Sequence, residues 1–460
     1  MEPPLATYET KKPNESIGVT ADPPGQSSDN GRGGISLSRY FPEGTNYFYG
    51  YPSGEDSNFF NGVPPASEEL VAARSLVCAG DHVRPIVFAP AIEPRISHVL
   101  KNELGIVYVE QDQIITLPTG ITHSIVGKQR NTLIKQALRE LSDYGSLVMA
   151  QPFLDPLLQN RYQIHPELTI FLNDKKNLPT YVPQEYLPER YGEYASGRAF
   201  STSQDHLPVP CVVKVSSSSS GDGVRLCRTA GQLEKAKKEY AFVSGSIIVE
   251  QFIKVDQNFG IQFGIPCHRC KDVEIIGVSE QLTSPEGEFI GGIIDTQRLF
   301  AEIDGINRLL LERVLPSVRE MGWYGVGGFD VLIDKDGKFY MEDPNFRMTG
   351  MTPYLCEARN GVIRESMVSF IATFQGSEEE FLRTIVPLAR NGSPAQMIHV
   401  LALTHHGDTF RMNAAMYFEQ EEVESVQRNA QQLVNLGLES KALRKLSENG
   451  RTKYPDFPVE

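Results

Sequence analysis

The chain has 460 residues, of which 40% are hydrophobic and 22% charged, a composition typical of a globular protein with two or three domains. Its formal net charge of −14 argues against a general nucleic-acid binder, because binding to a phosphate backbone usually needs a basic face. No apolar run is long enough to predict a membrane span or a signal peptide, and six scattered cysteines indicate reduced thiols in a cytoplasmic protein.

The N-terminal part of the chain changes character near residue 35. Residues 1–34 are rich in Pro, Ser, Gly and charge, which predicts a disordered tail. Between 35 and 165, β-type runs such as RPIVFAP alternate with helical patterns such as QRNTLIKQALRELSDY. This alternation predicts a small α/β domain with a largely parallel sheet. The domain carries no phosphate-loop fingerprint.

A serine-rich tract follows the β-type run CVVKV and precedes a second one, GVRLC. Such tracts are usually flexible linkers, but this one lies between two strand-like runs only a few residues apart, which predicts a hairpin. Small side chains let backbone N–H groups approach an anion closely, and Lys214 stands just before the tip. We therefore predict a phosphate-covering loop formed by Ser216, Ser217, Ser218, Ser219, Ser220, Gly221 and Gly223.

The next apolar strand, SIIVEQFI, ends in a glutamate and two bulky apolar residues. Phe252 and Ile253 could provide an apolar slot and backbone hydrogen bonds for a flat base, beside Glu250. Taken alone this pattern is weak, because many edge strands look the same.

The sequence GGFDVLIDKDGKFYMEDPN predicts two strands joined by a turn at Asp336–Gly337. A two-residue turn places Asp330 directly opposite Asp343 on one face of the sheet and points Glu342 to the other face. A three-residue turn would exchange the roles of Asp343 and Glu342.

Two facing carboxylates and Asn345, which has the parity of Asp343, form a set of hard oxygen ligands suited to Mg²⁺. The alternative is a solvated hairpin with charged edges. Arg347 could bind a phosphoryl oxygen or a substrate carboxylate in bidentate fashion, or form a structural ion pair. Arg298, in GGIIDTQRLF, is a second arginine candidate.

In this order, a lysine with a small-residue hairpin, a glutamate that ends a hydrophobic strand and the pattern Asp…Asp-x-Asn-x-Arg, the chain resembles the ATP-grasp superfamily. The nearest families are the D-alanine–D-alanine ligases and the amino-acid and peptide ligases. The resemblance, over about 166–375, implies a mixed α/β and α+β fold in which two α+β subdomains, 166–255 with the phosphate lid and 256–375 with the magnesium site, clamp ATP. Residues 35–165 would be the pre-ATP-grasp domain, and 376–460, a helix–strand–helix pattern, would complete the fold.

The resemblance also implies roles for the nucleotide-binding residues. Lys214 and Lys175, the latter in NDKKNLPTYVP, would contact the phosphates of ATP. Gln257 or Asn258 stands where an acidic ribose ligand is often found. The adenine-binding hinge would be the stretch Glu250, Gln251, Phe252 and Ile253.

For the metal site, Asp330, Asp343 and Asn345 resemble the ligands of two magnesium ions, with Glu342 as an alternative because the middle position of the family pattern is commonly glutamate. Arg347 resembles the arginine of the ExNxR pattern. The D-alanine ligases have an arginine two residues before the first metal carboxylate, where this chain has Gly328.

The implied activity is ATP-dependent joining of a carboxylate, from an amino acid or a peptide-like acid, to an amine through an acylphosphate. Lys214, Arg347 and Arg298 would neutralise the charge of the transferred phosphoryl group. A carboxylate–thiol ligase, a small-molecule kinase and a nucleotide-binding module without turnover are the alternatives. The partners would be small molecules, and two copies of the chain could pair through 35–165 or the C-terminal segment.

Overall fold

Three β-sheets organise the chain, which we describe from a computed structural model. No helix among the described residues is long and apolar enough to cross a membrane. The predicted tail up to residue 33, the loop residues Ser219, Ser220 and Gly221, and Arg298 lie outside the described residues. The described residues are 34–50, 65–106, 109, 111–117, 128–218, 223–283, 289–295, 304–418 and 423–449.

The first sheet has four parallel strands, as the sequence predicted. Its elements are β1 (Tyr47–Gly50), α1 (Pro65–Ala73), β2 (Val83–Val87), α2 (Pro94–His98), β3 (Ile115–Thr116), α3 (Lys128–Leu141) and β4 (Ser146–Met149). The strand order is β3-β2-β1-β4. A helix lies between each pair of consecutive strands, because parallel neighbours need a long crossover connection.

The second sheet is small and antiparallel. It is built from α4 (Pro166–Asn173), β5 (Arg190–Tyr194), α5 (Gly197–Thr202), β6 (Cys211–Val215), β7 (Val224–Cys227), α6 (Ala230–Glu239) and β8 (Ile247–Gln251). The strand order is β5-β8-β6-β7, so the predicted hairpin around the serines is confirmed as β6–β7. Val213 and Val249 face a core with α5 and α6. The alternation of side chains therefore puts Lys214 and Glu250 together on the opposite face.

The third sheet has nine strands and runs through the rest of the chain in the order β13-β12-β9-β10-β11-β14-β16-β15, with β17 beside β14. Its elements are β9 (Val255–Ile265), β10 (Glu274–Thr283), β11 (Phe289–Ile294), α7 (Asp304–Leu309), α8 (Leu315–Glu320), β12 (Gly325–Asp334), β13 (Phe339–Asn345), α9 (Thr352–Arg359), β14 (Ser366–Gln375), α10 (Glu378–Thr384), α11 (Val386–Ala389), β15 (Ile398–His406), β16 (Thr409–Phe418), α12 (Val423–Asn435), β17 (Leu438–Glu439) and α13 (Lys441–Asn449).

The predicted helix–strand–helix pattern at the C-terminus is present as α10, β15 and α12, but the prediction omitted the long strand β16. Strand β16 pairs with β14 on one side and β15 on the other. Its alanines at 414 and 415 are fully buried although alanine has a low strand propensity. Packing between two neighbouring strands therefore outweighs local preference.

The large sheet has one apolar and one polar face near β9 and β12. Ile261, Phe263 and Phe329 pack in the core that also contains helices α7 and α8. Because side chains alternate along a strand, the intervening residues face the other way; this opposite side, defined by Gly260, Gln262, Gly328 and Asp330, is called the polar face below. It turns toward the N-terminal part of the chain, where Tyr40 lies against Gly264.

Candidate nucleotide and metal site

The carboxylate hairpin is β12–β13, and its turn differs from the predicted one. The Asp334 N–H donates to the Lys338 carbonyl at 2.9 Å, and Gly337 has a φ of +79°. The turn therefore contains three residues, 335–337, with glycine in the left-handed conformation that its position requires. The predicted two-residue turn was wrong.

A β-bulge restores the pairing of the two aspartates despite the longer turn. Asp330 pairs with Asp343, whereas the next residue, Val331, pairs with Met341. Glu342 is thus the extra residue of the bulge. The predicted opposition of Asp330 and Asp343 is confirmed, because the additional turn residue and the bulge residue compensate each other.

Burial and a neighbouring carboxylate raise the cost of ionising each of the two aspartates. Burial, followed by the neighbouring Asp343 carboxylate, raises the pKa of Asp330 well above its ordinary value. Burial also raises the pKa of Asp343, although Lys175 and Arg347 oppose this effect. Gln281 donates from Nε2 to Asp330 Oδ1 at 2.6 Å. A pair of carboxylates held in this way favours binding of a cation.

Lys175 places a positive charge beside Asp343 and also contacts the first residues of the serine loop. Its Nζ lies 3.1 Å from Asp343 Oδ1 and donates to the Ser218 carbonyl oxygen at 2.6 Å. The Lys175 backbone N–H donates to the Ser216 carbonyl oxygen at 3.1 Å. The lysine side chain is only 4% exposed, so the turn after α4, the loop and a metal-ligand candidate meet in a confined space.

Lys214 lies in a second charged cluster, on the face of the small sheet that is opposite to the core with α5 and α6. Its Nζ is 2.8 Å from Glu250 Oε2 and 2.9 Å from Glu342 Oε1. Burial lowers the pKa of Lys214, but the two carboxylates more than reverse this effect and raise it above its ordinary value. Arg190 Nη2 lies 3.4 Å from Glu250 Oε1. Glu342 therefore faces Lys214, whereas Asp343 faces Asp330.

A small set of apolar side chains offers a surface against which a nucleotide base could pack. Ile253, Leu332 and Tyr340 form a small hydrophobic cluster. Gln251 donates its backbone N–H to the Glu189 carbonyl at 2.8 Å, and the Arg228 guanidinium carbon lies 5.9 Å from the centre of the Phe252 ring. Leu332 lies on the polar face with Asp330, two residues further along β12.

The two ribose-ligand candidates lie on opposite faces of β9. Gln257 pairs with Ile333, and Asn258 pairs with Leu332. Asn258 therefore shares the polar face with Asp330, and Gln257 does not. Asn258 Oδ1 is buried and has no hydrogen-bond partner among the described residues. An unsatisfied acceptor of this kind suits a ligand hydroxyl.

Arg347 is buried just after the end of the β12–β13 hairpin. It is 7% exposed, and its Nη1 donates to Asn173 Oδ1 at 2.7 Å. The Phe346 N–H donates to the same oxygen at 3.0 Å, so the last residue of α4 fixes the chain just after Asn345. Asn345 pairs with Gly328, on the polar face of the sheet.

The sequence analysis did not identify several residues that the fold brings to this site. Leu332 could have been found, because it follows Asp330 by two residues and so shares its face. Gln281, Asn173 and Arg190 come from distant strands or helices, and no local pattern points to them.

The residues fit a magnesium–nucleotide complex. Asp330, Asp343 and Asn345 offer oxygen ligands on one face. Lys175 contacts Asp343 and the start of the small-residue loop, and Lys214 contacts Glu342, the neighbour of Asp343 along β13. The buried Asn258 Oδ1 and the neighbouring apolar cluster suit a nucleoside.

Comparisons of sequence agree with this geometry. The model of the ATP-grasp domain of L-aspartate–L-methionine ligase matches residues 192–345. The D-alanine–D-alanine ligase of Bacillus cytotoxicus is 26% identical over 159 residues, which are 34% of this chain and 43% of that enzyme. The matched part of this chain thus spans about two fifths of the length of that relative.

Solved structures share the fold across most of the chain. The ADP complex of N5-carboxyaminoimidazole ribonucleotide synthetase has a TM-score of 0.54 at 12% identity and covers 86% of this chain and 98% of its own. A biotin carboxylase complex from Campylobacter jejuni has a TM-score of 0.52 at 13% identity and covers 88% and 95%. The chain therefore has the ATP-grasp fold, and its central domain is of the type found in carboxylate–amine ligases.

Proposed function

We propose that the chain is an ATP-dependent ligase that joins the carboxylate of an amino acid or peptide-like acid to an amine. The observation that carries the proposal is the pairing of Asp330 with Asp343 on one face, with Lys175 in contact with Asp343 and Lys214 in contact with the adjacent Glu342. The ATP-grasp fold and the ligase-type central domain support it.

In the first step, a carboxylate oxygen of the acid attacks the γ-phosphorus of ATP. The bond from that phosphorus to the β,γ-bridging oxygen breaks, and ADP leaves with the electron pair. In the second step, the amine nitrogen attacks the acyl carbon, the bond to the phosphate oxygen breaks, and the amine loses a proton. Lys175, Lys214 and Arg347 stabilise negative charge on the phosphates and on the acid, and Arg298 is a further candidate for this role.

Asp330, Asp343 and Asn345 would hold magnesium, and we propose two ions. When bound, the metal neutralises phosphate charge and orients the transferred phosphoryl group. Glu342 faces Lys214, which supports Asp343 as the second carboxylate ligand. The loop that begins at Ser216 would cover the phosphates and exclude water from the acylphosphate.

The test is ADP and phosphate release from the purified chain with ATP, Mg²⁺ and pairs of amino acids. L-Aspartate with L-methionine is the first pair, because it is named by the matching family model; the other amino acids follow, and mass spectrometry identifies the product. We expect release to require both an acid and an amine. Lys214→Ala and the pair Asp330→Ala/Asp343→Ala should lower it about 100-fold or more. Undiminished release from these variants would contradict the site.

A cytoplasmic location and a homodimer also belong to the proposal. All six cysteines are free thiols, as a reducing compartment favours. Light scattering of the purified chain measures the assembly state directly.

A further inference from the structure

A glycine on the polar face leaves a small cradle next to the metal-ligand candidates. Gly260 pairs with Asp330. A Cβ atom at residue 260 would lie 3.4 Å from Gln281 Nε2, 3.4 Å from Ser279 Oγ and 3.5 Å from Gln262 Nε2. Three polar atoms therefore surround one point above the glycine, at ordinary contact distance.

Two of these polar groups have partners within the sheet. Gln281 Nε2 donates to Asp330 Oδ1 at 2.6 Å, and Ser279 Oγ donates to the Gly260 carbonyl at 3.4 Å. Gln262 differs from both. Its side-chain N–H groups have no acceptor among the residues that the structure describes, although Gln262 is only 2% exposed. An N–H donor in so enclosed a position, without a protein acceptor, is available to an oxygen of a ligand.

The orientation of the Gln262 amide is fixed by two threonines. Oε1 accepts hydrogen bonds from Thr349 Oγ1 at 2.9 Å and from Thr352 Oγ1 at 3.1 Å. Each hydroxyl also accepts a backbone N–H, from Met351 and Thr349 respectively, and the two hydroxyl oxygens lie 3.3 Å apart. In the structure the amide oxygen faces the threonines, and Nε2 faces the cradle.

The neighbouring strand makes room for this arrangement. A Cβ atom at Gly328 would lie 2.7 Å from Gln262 Oε1 and 3.0 Å from Nε2, so a larger residue there would displace the amide. Gly328 pairs with Gln262 on one side and with Asn345 on the other. The amide therefore lies in the same row as a metal-ligand candidate, on the same face of the sheet.

We propose that Gln262 Nε2 donates a hydrogen bond to an oxygen of the acid substrate's reacting carboxyl group, which lies in the cradle above Gly260. This inference rests on the proposed ligase function. A carboxylate only accepts hydrogen bonds, and its acyl oxygen gains negative charge when the amine attacks. A fixed N–H donor at that oxygen strengthens as the charge develops. Gln262 is therefore a substrate-binding residue that also stabilises the second step.

The competing explanation is that Gln262 only ties Thr349 and Thr352 to the sheet. Three variants separate the two roles. Gln262→Glu keeps an oxygen for both hydroxyls and removes the N–H donor. Thr352→Val removes a hydroxyl from the tie and leaves Nε2 in place. Gly260→Ala puts a methyl group into the cradle at distances that the fold tolerates.

The experiment traps the acylphosphate with hydroxylamine and measures hydroxamate against acid concentration, with L-aspartate or the acid that the unaltered chain uses best. We expect Gly260→Ala and Gln262→Glu to raise KM for the acid about tenfold or more, with KM for ATP nearly unchanged. Tm should be nearly unchanged in Gly260→Ala. Thr352→Val should change KM for the acid by less than about threefold, because the donor remains.

Two results would overturn the inference. An unchanged KM for the acid in both Gly260→Ala and Gln262→Glu would show that no substrate oxygen uses the cradle. A loss in Thr352→Val as large as that in Gln262→Glu, with a similar fall in Tm, would assign Gln262 to the threonine tie alone. If the unaltered chain releases no ADP with any acid, the proposed function fails, and this inference fails with it.

Discussion

Asp330 shows most directly how a candidate metal ligand lowers the stability of this fold. Its carboxylate is held beside Asp343, and burial together with that neighbour raises its pKa. A carboxyl group whose pKa is raised by folding contributes its stability below the unfolded pKa of about 4 and loses it as pH rises through the folded value. As pH rises from about 4 toward the folded pKa, Asp330 therefore becomes increasingly destabilising in the absence of a cation.

Asp330→Asn should raise stability in the absence of Mg²⁺ and ATP. The amide oxygen can still accept the hydrogen bond from Gln281, and the repulsion of Asp343 is removed. We expect a Tm increase of roughly 2 °C or more at pH 7.5, and a smaller one at pH 5, where less of the carboxyl group of the unaltered chain is ionised. Differential scanning calorimetry with EDTA measures it. An unchanged or lower Tm at pH 7.5 would contradict the assignment, as would an effect larger at pH 5.

Single residues were predictable where their position along one strand carried the information. The candidates Asp330, Asp343 and Asn345 were found from strand parity and a turn signal, although their pairing also depends on the bulge at Glu342. Gln262 and Gln281 could not be found in this way. Their roles arise from the pairing of β9 and β10 beside β12, and strand order is not written in any local pattern.

At the scale of elements, the β12–β13 hairpin owes its chemistry to a compensated irregularity. The sequence analysis joined turn length directly to the roles of Asp343 and Glu342. Because of the bulge, turn length does not determine these roles, and a three-residue turn coexists with paired aspartates. Bulges depend on neighbouring strands and on twist, which is why the turn signal alone did not predict this one.

Asp343 and Glu342 should differ strongly in function although they are adjacent. Asp343→Asn removes a carboxylate from the proposed metal site, and we expect kcat to fall about 100-fold or more. Glu342→Gln removes one of two carboxylates from Lys214, which keeps Glu250; KM for ATP should change less than about tenfold, with kcat nearly kept. Steady-state ADP release checks both, and the reverse order of effects would show that Glu342 is the metal ligand.

At the scale of the whole molecule, the N-terminal and C-terminal parts of the chain share one core. Ile96 and Leu104 belong to the same hydrophobic cluster as Phe374, Val400 and Met412. The fold class was predictable from alternating patterns and ordered motifs. This shared core was not, since it joins segments nearly 300 residues apart, and the predicted domain boundaries stay predictions.

Ile96→Ala should therefore destabilise more than the N-terminal part. Ile96 is fully buried, and deletion of such a side chain costs about 2–5 kcal/mol. We expect calorimetry to show the main unfolding transition moving to lower temperature as a unit, because the cavity opens in the shared core. Phe242→Ala, at a side chain that is 98% exposed, is the control. Two separate transitions, with only the smaller one displaced, would show that the parts unfold independently.

The bulge at Glu342 has a practical consequence for work on the intact chain. Residues 335–338 at the tip of the hairpin are exposed, and the metal-ligand candidates lie beyond the bulge, on the side away from the tip. The bulge at Glu342 lies between the turn and the paired aspartates, so it can absorb a shift in register that a change in loop length causes. The tip is therefore a suitable place to insert a fluorophore site or an affinity tag, close to the proposed metal site and without displacing its carboxylates.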